Sequence, residues 1–127
     1  MKQITKEVII DFIQKNNLEL QSTHQKLCLP IINRLYKKML IGINFSSIKV
    51  ADDLIIDGHH RYLASLLAGC DIERVMSNIT SATKITKWNA IDYVEEDWDT
   101  PAKIRMLNEE DALQNNVSIE EIIKLIK

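Results

Sequence analysis

Between Leu54 and Gly69 the chain reads LIIDGHHRYLASLLAG, and that order of residues leaves the backbone little choice. Leu54, Ile55 and Ile56 are apolar at successive positions, the mark of a strand buried on both faces. Asp57-Gly58 is turn chemistry, because glycine enters the left-handed region without steric cost. From His59 or His60 the period becomes helical, with Leu63, Leu66 and Leu67 on a stripe that faces a core. Ala64 and Ala68 let that helix approach a sheet closely, and Gly69 ends it. A buried strand that turns at once into an amphipathic helix needs other elements to cover both.

The flanks supply them. Ser47–Val50 and Leu54–Ile56 form a hairpin about the turn Ala51-Asp52-Asp53. After Gly69, the segment DIERVMSNIT spaces Ile72, Arg74 or Val75, and Ile79 as a further strand, and a strand–helix–strand unit implies a crossover, right-handed by default. Upstream, TKEVIIDFIQKNN predicts a helix capped by Thr5, with Val8, Ile9, Phe12 and Ile13 on one stripe and Asn16-Asn17 at its end. STHQKLCLPIINRLYKKML is also helical in pattern, capped at Ser22 or Thr23. Pro30 breaks it, so a second helix runs over about 30–40 and stops at Gly42. Trp88–Tyr93 reads as a short strand. Thr100-Pro101 starts one helix, and Ser118 with Glu121 forms a capping box that starts another, so the two make a helical hairpin. The expected fold is α+β: a small mixed sheet with a strand–turn–helix–strand core, flanked by N-terminal helices and a C-terminal helical hairpin. At 127 residues this is one domain, 1–127, with its core at about 43–80 and a helical extension at about 100–127.

Charge is unevenly placed although the net value is only −2. Lys26, Arg34, Lys37, Lys38 and Lys49 occur between positions 26 and 50 without an acid. Asp92, Glu95, Glu96, Asp97, Asp99, Glu109, Glu110 and Asp111 face only Lys103 and Arg105 between positions 92 and 111. The expectation is one face that attracts anions and another that repels them, or simply two solvated faces. The overall acidity argues against a large nucleic-acid footprint. Cys28 and Cys70 sit beside residues that look like core and make no disulfide framework, so a reducing, cytoplasmic setting is expected. MKQITKEVII lacks the apolar stretch of a signal peptide, and no apolar run approaches the roughly 18 residues of a membrane span.

The chemistry concentrates at Asp57-Gly58-His59-His60-Arg61. A helix that starts here points its first N–H groups, which have no partner within the helix, at whatever occupies the turn. Gly58 lets a ligand come close to the backbone, and His60 and Arg61 add donors, so the spot suits phosphate. It lacks the Walker pattern. Adjacent histidines on a helix diverge by about 100° and rarely chelate one ion, and His24 lies far away in sequence, so no metal site is expected. No nucleophile elbow surrounds Ser65. The plainer reading is that Asp57 caps the helix, Gly58 makes the turn and both histidines sit in solvent. Lys37, Lys38 and Lys49 would draw in phosphates or be solvated. Trp88 and Trp98 would stack on a base or pack in the core.

These residues resemble the signature of the ParB/sulfiredoxin-like superfamily. Its members carry a hairpin strand that ends in DGHHR, GERR or GGCHR, then an alanine and a glycine at the offsets that Ala64 and Gly69 occupy. The likeness is strongest over Asp57–Gly69, extends to Ser47–Ile79 and leaves the last third of the chain unassigned. The resemblance implies a nucleotide, ATP or CTP, held at this turn. Gly58 would offer its backbone, and His60 and Arg61 would be the phosphate pair; Lys49, from the charge pattern and not from the resemblance, is taken as a further phosphate contact. Asp57 is the implied base or water-mediated Mg²⁺ partner, and His59 is the alternative catalytic residue. His59 stands where sulfiredoxins have their cysteine and ParB proteins their glutamate, which sets both of those reactions aside. The function this implies is nucleotide binding, with Mg²⁺-dependent phosphohydrolase or phosphotransferase activity. A nuclease or nucleic-acid-binding module and a non-catalytic protein-interaction domain, with a protein partner or a homodimer, are the alternatives.

Overall fold

In the computed structural model, whose described residues are 2–126, the chain begins with α1 (Lys6–Lys15). Thr5 caps it, its hydroxyl accepting from the Val8 N–H. β1 (Lys26–Cys28) runs straight into α2 (Leu29–Leu40), with Pro30 in the first turn, where its missing N–H costs nothing. β2 (Ile48–Ala51) and β3 (Leu54–Asp57) form the antiparallel hairpin, α3 (His59–Ala68) follows, and β4 (Arg74–Met76) returns to the sheet. A 3₁₀ turn at Trp88–Ala90 leads into β5 (Asp92–Val94). α4 (Pro101–Asn115) and α5 (Ile119–Ile126) close the chain, started by the Thr100 and Ser118 hydroxyls.

The result is an α+β protein with two small sheets. One has the strand order β3-β2-β4, with β2 antiparallel to β3 and parallel to β4. The other is the parallel pair β1-β5. A parallel bridge from Gln21 to Leu54 ties the segment before β1 to the outer edge of β3. The main core joins Ile9 of α1, Ile32 and Tyr36 of α2, Ile48 and Val50 of β2, Ile55 of β3, and Tyr62 and Leu63 of α3. A separate, smaller cluster holds the C-terminal hairpin through Ile43, Ala112 and Ile122.

Several expectations are corrected. Residues 22–28 are not helical: three of them form β1, because His60 and β5 take up backbone groups that a helix would have used. The Leu54–Ile56 strand is fully buried only at Ile55: β3 is an edge strand, and the side chains on either side of Ile55 point to its less covered face. β4 is exposed at all three residues. β3 and β4 flank β2 and run antiparallel to one another, so the handedness rule for parallel crossovers does not apply to α3. α3 packs most extensively on α2 rather than on the sheet. The strand expected at Trp88–Tyr93 begins only at Asp92. Cys28 is buried but Cys70 is exposed. The basic and acidic segments do not form separate faces: Arg34 pairs with Asp97 and Asp99, and Lys38 with Asp111. No helix among the described residues is long and apolar enough to cross a membrane.

Candidate functional site

The corner between β3 and α3 is built on Gly58, whose φ of +102° falls where a side chain is strained. A Cβ there would lie 2.5 Å from Ile48 Cγ2 and 2.7 Å from Arg61 Nη2, so both shape and dihedral demand glycine. No side chain caps α3. Asp57 in particular does not: its carboxylate is 3.4 Å from Arg61 Nη2 and largely in solvent. The first N–H groups of the helix, at the positive end of its dipole, thus have no side-chain acceptor among the described residues.

Arg61 leans back over this corner. Its Nη1 donates to Ser46 Oγ at 2.7 Å, while Nη2 reaches Asp57. Lys49 stands directly opposite Asp57 in the hairpin, next to a bulge, and is exposed. Gly58, Arg61, Asp57 and Lys49 therefore gather at one corner, joined by Ser46, which sequence reasoning missed. Ser46 lies in an unpatterned loop, so no local signal marked it.

The two histidines do something else. His59 is 1% exposed, and its Nε2 accepts from the Thr23 N–H at 3.0 Å. The Nε2 of His60 accepts from the Cys28 N–H at 2.9 Å. A backbone N–H can only donate, so each Nε2 must be bare and each neutral ring carries its proton on Nδ1. Burial pushes the His59 pKa down to about 3, aided by His24 and His60. Burial, with His24 next in weight, pushes that of His60 down to about 4, against the opposing pull of Asp99. At neutral pH both rings are uncharged pins that hold residues 23–28 against the start of α3. They are neither solvated nor cationic.

All three histidines meet in space. His24 stacks on His59 with ring centroids 3.8 Å apart and planes within 15°. Lone pairs of stacked rings lie in separate, nearly parallel planes and do not converge on one ion. Among the described residues no group of three or more His, Cys, Asp or Glu is placed to hold a metal. His59 Nδ1 is buried without a hydrogen-bond partner, a local cost of about 1–3 kcal/mol. Trp88 is core: its Nε1 donates to the Leu20 carbonyl. Trp98 is half in solvent, with its ring edge-on to His60 at 5.5 Å.

Of the three lysines that might have served phosphate, only Lys49 belongs to the corner. Lys38 is 4% exposed and bonds Asp111 at 2.6 Å, and Lys37 is half-buried. Lys38 instead shares a cavity of about 380 Å³ with Arg34 and Arg61, between α2, the start of α3 and α4. A magnesium ion bound with a nucleotide usually takes one or two protein carboxylates besides phosphate oxygens and water. Asp57 is the carboxylate the corner offers for that, alone and already beside Arg61. No protein-family model matches this chain, and neither a curated protein nor a solved structure matches it.

Proposed function

We propose that the β3–α3 corner is the phosphate-binding element of a nucleotide-binding domain of the ParB/sulfiredoxin-like kind. The observation that carries this reading is the start of α3: an uncapped helix end, opened by a glycine that tolerates no side chain, with Arg61 leaning over it. The first N–H groups of α3 take phosphate oxygens, and Arg61 supplies a charged, forked donor. Lys49 adds a second cation from the hairpin.

His59 and His60 enter as positioning residues. Their bonds to Thr23 and Cys28 hold the segment that precedes α2 against α3 and so fix where the helix begins. His59 is a poor base here, because its Nε2 is engaged and its ring is buried. If the domain hydrolyses or transfers a phosphoryl group, Mg²⁺ supplies charge neutralisation, and Asp57 is the residue that would accept a proton or orient the ion through water.

The test is a thermal-shift series with ATP, ADP, CTP and GTP, each with and without Mg²⁺. A nucleotide-dependent rise in Tm that disappears in Arg61→Ala and partly survives in Arg61→Lys supports the reading. No rise with any nucleotide sinks it. Plasmid cleavage that depends on Arg61, in a protein no nucleotide stabilises, would favour a nuclease instead. Silence in both assays would leave a protein-interaction domain.

A further inference from the structure

The cavity beside Arg61 is lined by charges of both signs: Arg34 and Lys38 from α2 and Arg61 from α3, with Asp99, Glu110 and Asp111 from the C-terminal segment. Lys38 is as buried as a core residue, yet among the described residues its ammonium has one carboxylate partner, Asp111 at 2.6 Å. Arg34 grips both oxygens of Asp97 and one of Asp99. A cation buried this deeply must be balanced, but the balancing charge need not come from the protein.

The carboxylates belong to the part of the molecule best able to yield. They all follow position 96, on α4 and the segment that leads into it. That hairpin has its own smaller apolar cluster of Ile43, Ala112 and Ile122, with Val117, Ile119 and Ile126 packed against it, which meets the main core at Phe45. Elsewhere it is fastened by polar contacts, such as Asn115 with the main chain of Asn44. The cations, in contrast, stand on α2 and α3, the most extensively packed pair of elements. An element held by a smaller cluster of its own can open at a lower free energy than the main core.

We propose that this cavity is a second anion subsite, contiguous with Arg61, where Lys38 and Arg34 take the far end of a phosphate chain in place of Asp111 and Asp99. The carboxylates of the C-terminal hairpin then act as built-in competitors. Binding of the chain and loosening of the hairpin are linked, each favouring the other. This rests on the reading of the β3–α3 corner as a phosphate site, since Arg61 belongs to both.

Calorimetry with inorganic triphosphate on the full chain tests it. Asp111→Asn should bind about tenfold more tightly than wild type, because a like charge beside the ligand is gone. Asp99→Asn, which leaves Arg34 its Asp97 partner, should gain about threefold. The double variant Lys38→Met with Asp111→Leu removes the same carboxylate together with its cation, and should gain nothing over wild type. Amide exchange over 101–126 should speed up when wild type is saturated with triphosphate. If wild type binds triphosphate and Asp111→Asn binds it no better, this inference fails while the corner reading stands. If no variant binds, both fail. Should Asp111→Asn not fold, Asp99→Asn decides: no gain in affinity there overturns the proposal.

Discussion

The β3–α3 corner and the α4–α5 hairpin are fastened to the same body by opposite means. At the corner, the buried anchors are neutral: Leu63 and Tyr62 enter the main core, and His59 and His60 accept from main-chain N–H groups, while the Arg61–Asp57 pair lies at its exposed rim. At the hairpin, a smaller apolar cluster around Ile43, Ala112 and Ile122 is supplemented by charge: Lys38 with Asp111, and Arg34 with Asp97 and Asp99. Neutral pins are indifferent to salt but sensitive to acid, because protonation removes the acceptor. Ion pairs at a partly wet interface are weakened by salt and tolerate exchange of one anion for another. The contrast teaches that the two regions should fail under different conditions, the corner together with the whole fold and the hairpin by itself.

Acid should break the comparison most severely. In an unfolded chain the two rings titrate near 6.5, while in the folded protein His59 is held at about 3 and His60 at about 4. Below about pH 6.5 the unfolded chain binds more protons than the folded one. Stability from these rings is therefore complete above that pH and drains away as pH falls toward the folded values. Between pH 6.5 and pH 5 the loss should be about 2 kcal/mol for each ring, read from urea unfolding at the two pH values. A profile as steep in His60→Gln as in wild type would show that the ring is not the sensor.

Truncating the corner's core comes next. Leu63→Ala removes a fully buried side chain of α3 and should cost about 3 kcal/mol of global stability, measured as a shift in denaturant midpoint. Gly58→Ala should cost about 2 kcal/mol, since it strains a left-handed residue and drives a methyl into Ile48. A neutral result would mean that the corner can reshape, and the uncapped helix end would lose its fixed geometry. The smallest global effect is expected at the hairpin. Ile122→Ala empties the centre of the minor cluster, yet the main unfolding midpoint should move by less than about 1 kcal/mol. Amide exchange over 101–126 should quicken by about tenfold or more in the same variant. If the whole protein melts earlier in step with the hairpin, the two regions form one cooperative unit and the comparison collapses.

How far these features could be read in the sequence depends on how local their causes are. Thr5, Thr100-Pro101 and Ser118 cap helices through bonds three residues away, and each helix begins where the cap stands. Gly58 and Gly69 bracket α3 through their own dihedrals. β1 was hidden, because three residues cannot display an alternation and the string around them has helical spacing. The histidine pins join positions 36 and 32 residues apart, with nothing at Thr23 or Cys28 to announce a partner. The charged segments invited a reading as separate faces. Only the fold brings Arg34 to Asp97 and Lys38 to Asp111, across 63 and 73 positions. Arg61 was legible as a donor at the turn, whereas its link to Ser46 and the α2–α4 cavity was not.

The histidine pins have a consequence for substitution. Each ring accepts from the main chain of its partner, and only His59 also meets a side chain, the Thr23 hydroxyl at 3.4 Å. At Cys28, therefore, alanine, serine or valine would preserve the bond to His60, and only proline, which has no N–H, would abolish it. Part of the information that holds β1 in place is thus written at His60, outside the strand it holds. A substitution at position 28 can therefore spare the bond to His60 and still cost the protein what the Cys28 thiol does for the Glu96–Trp98 segment.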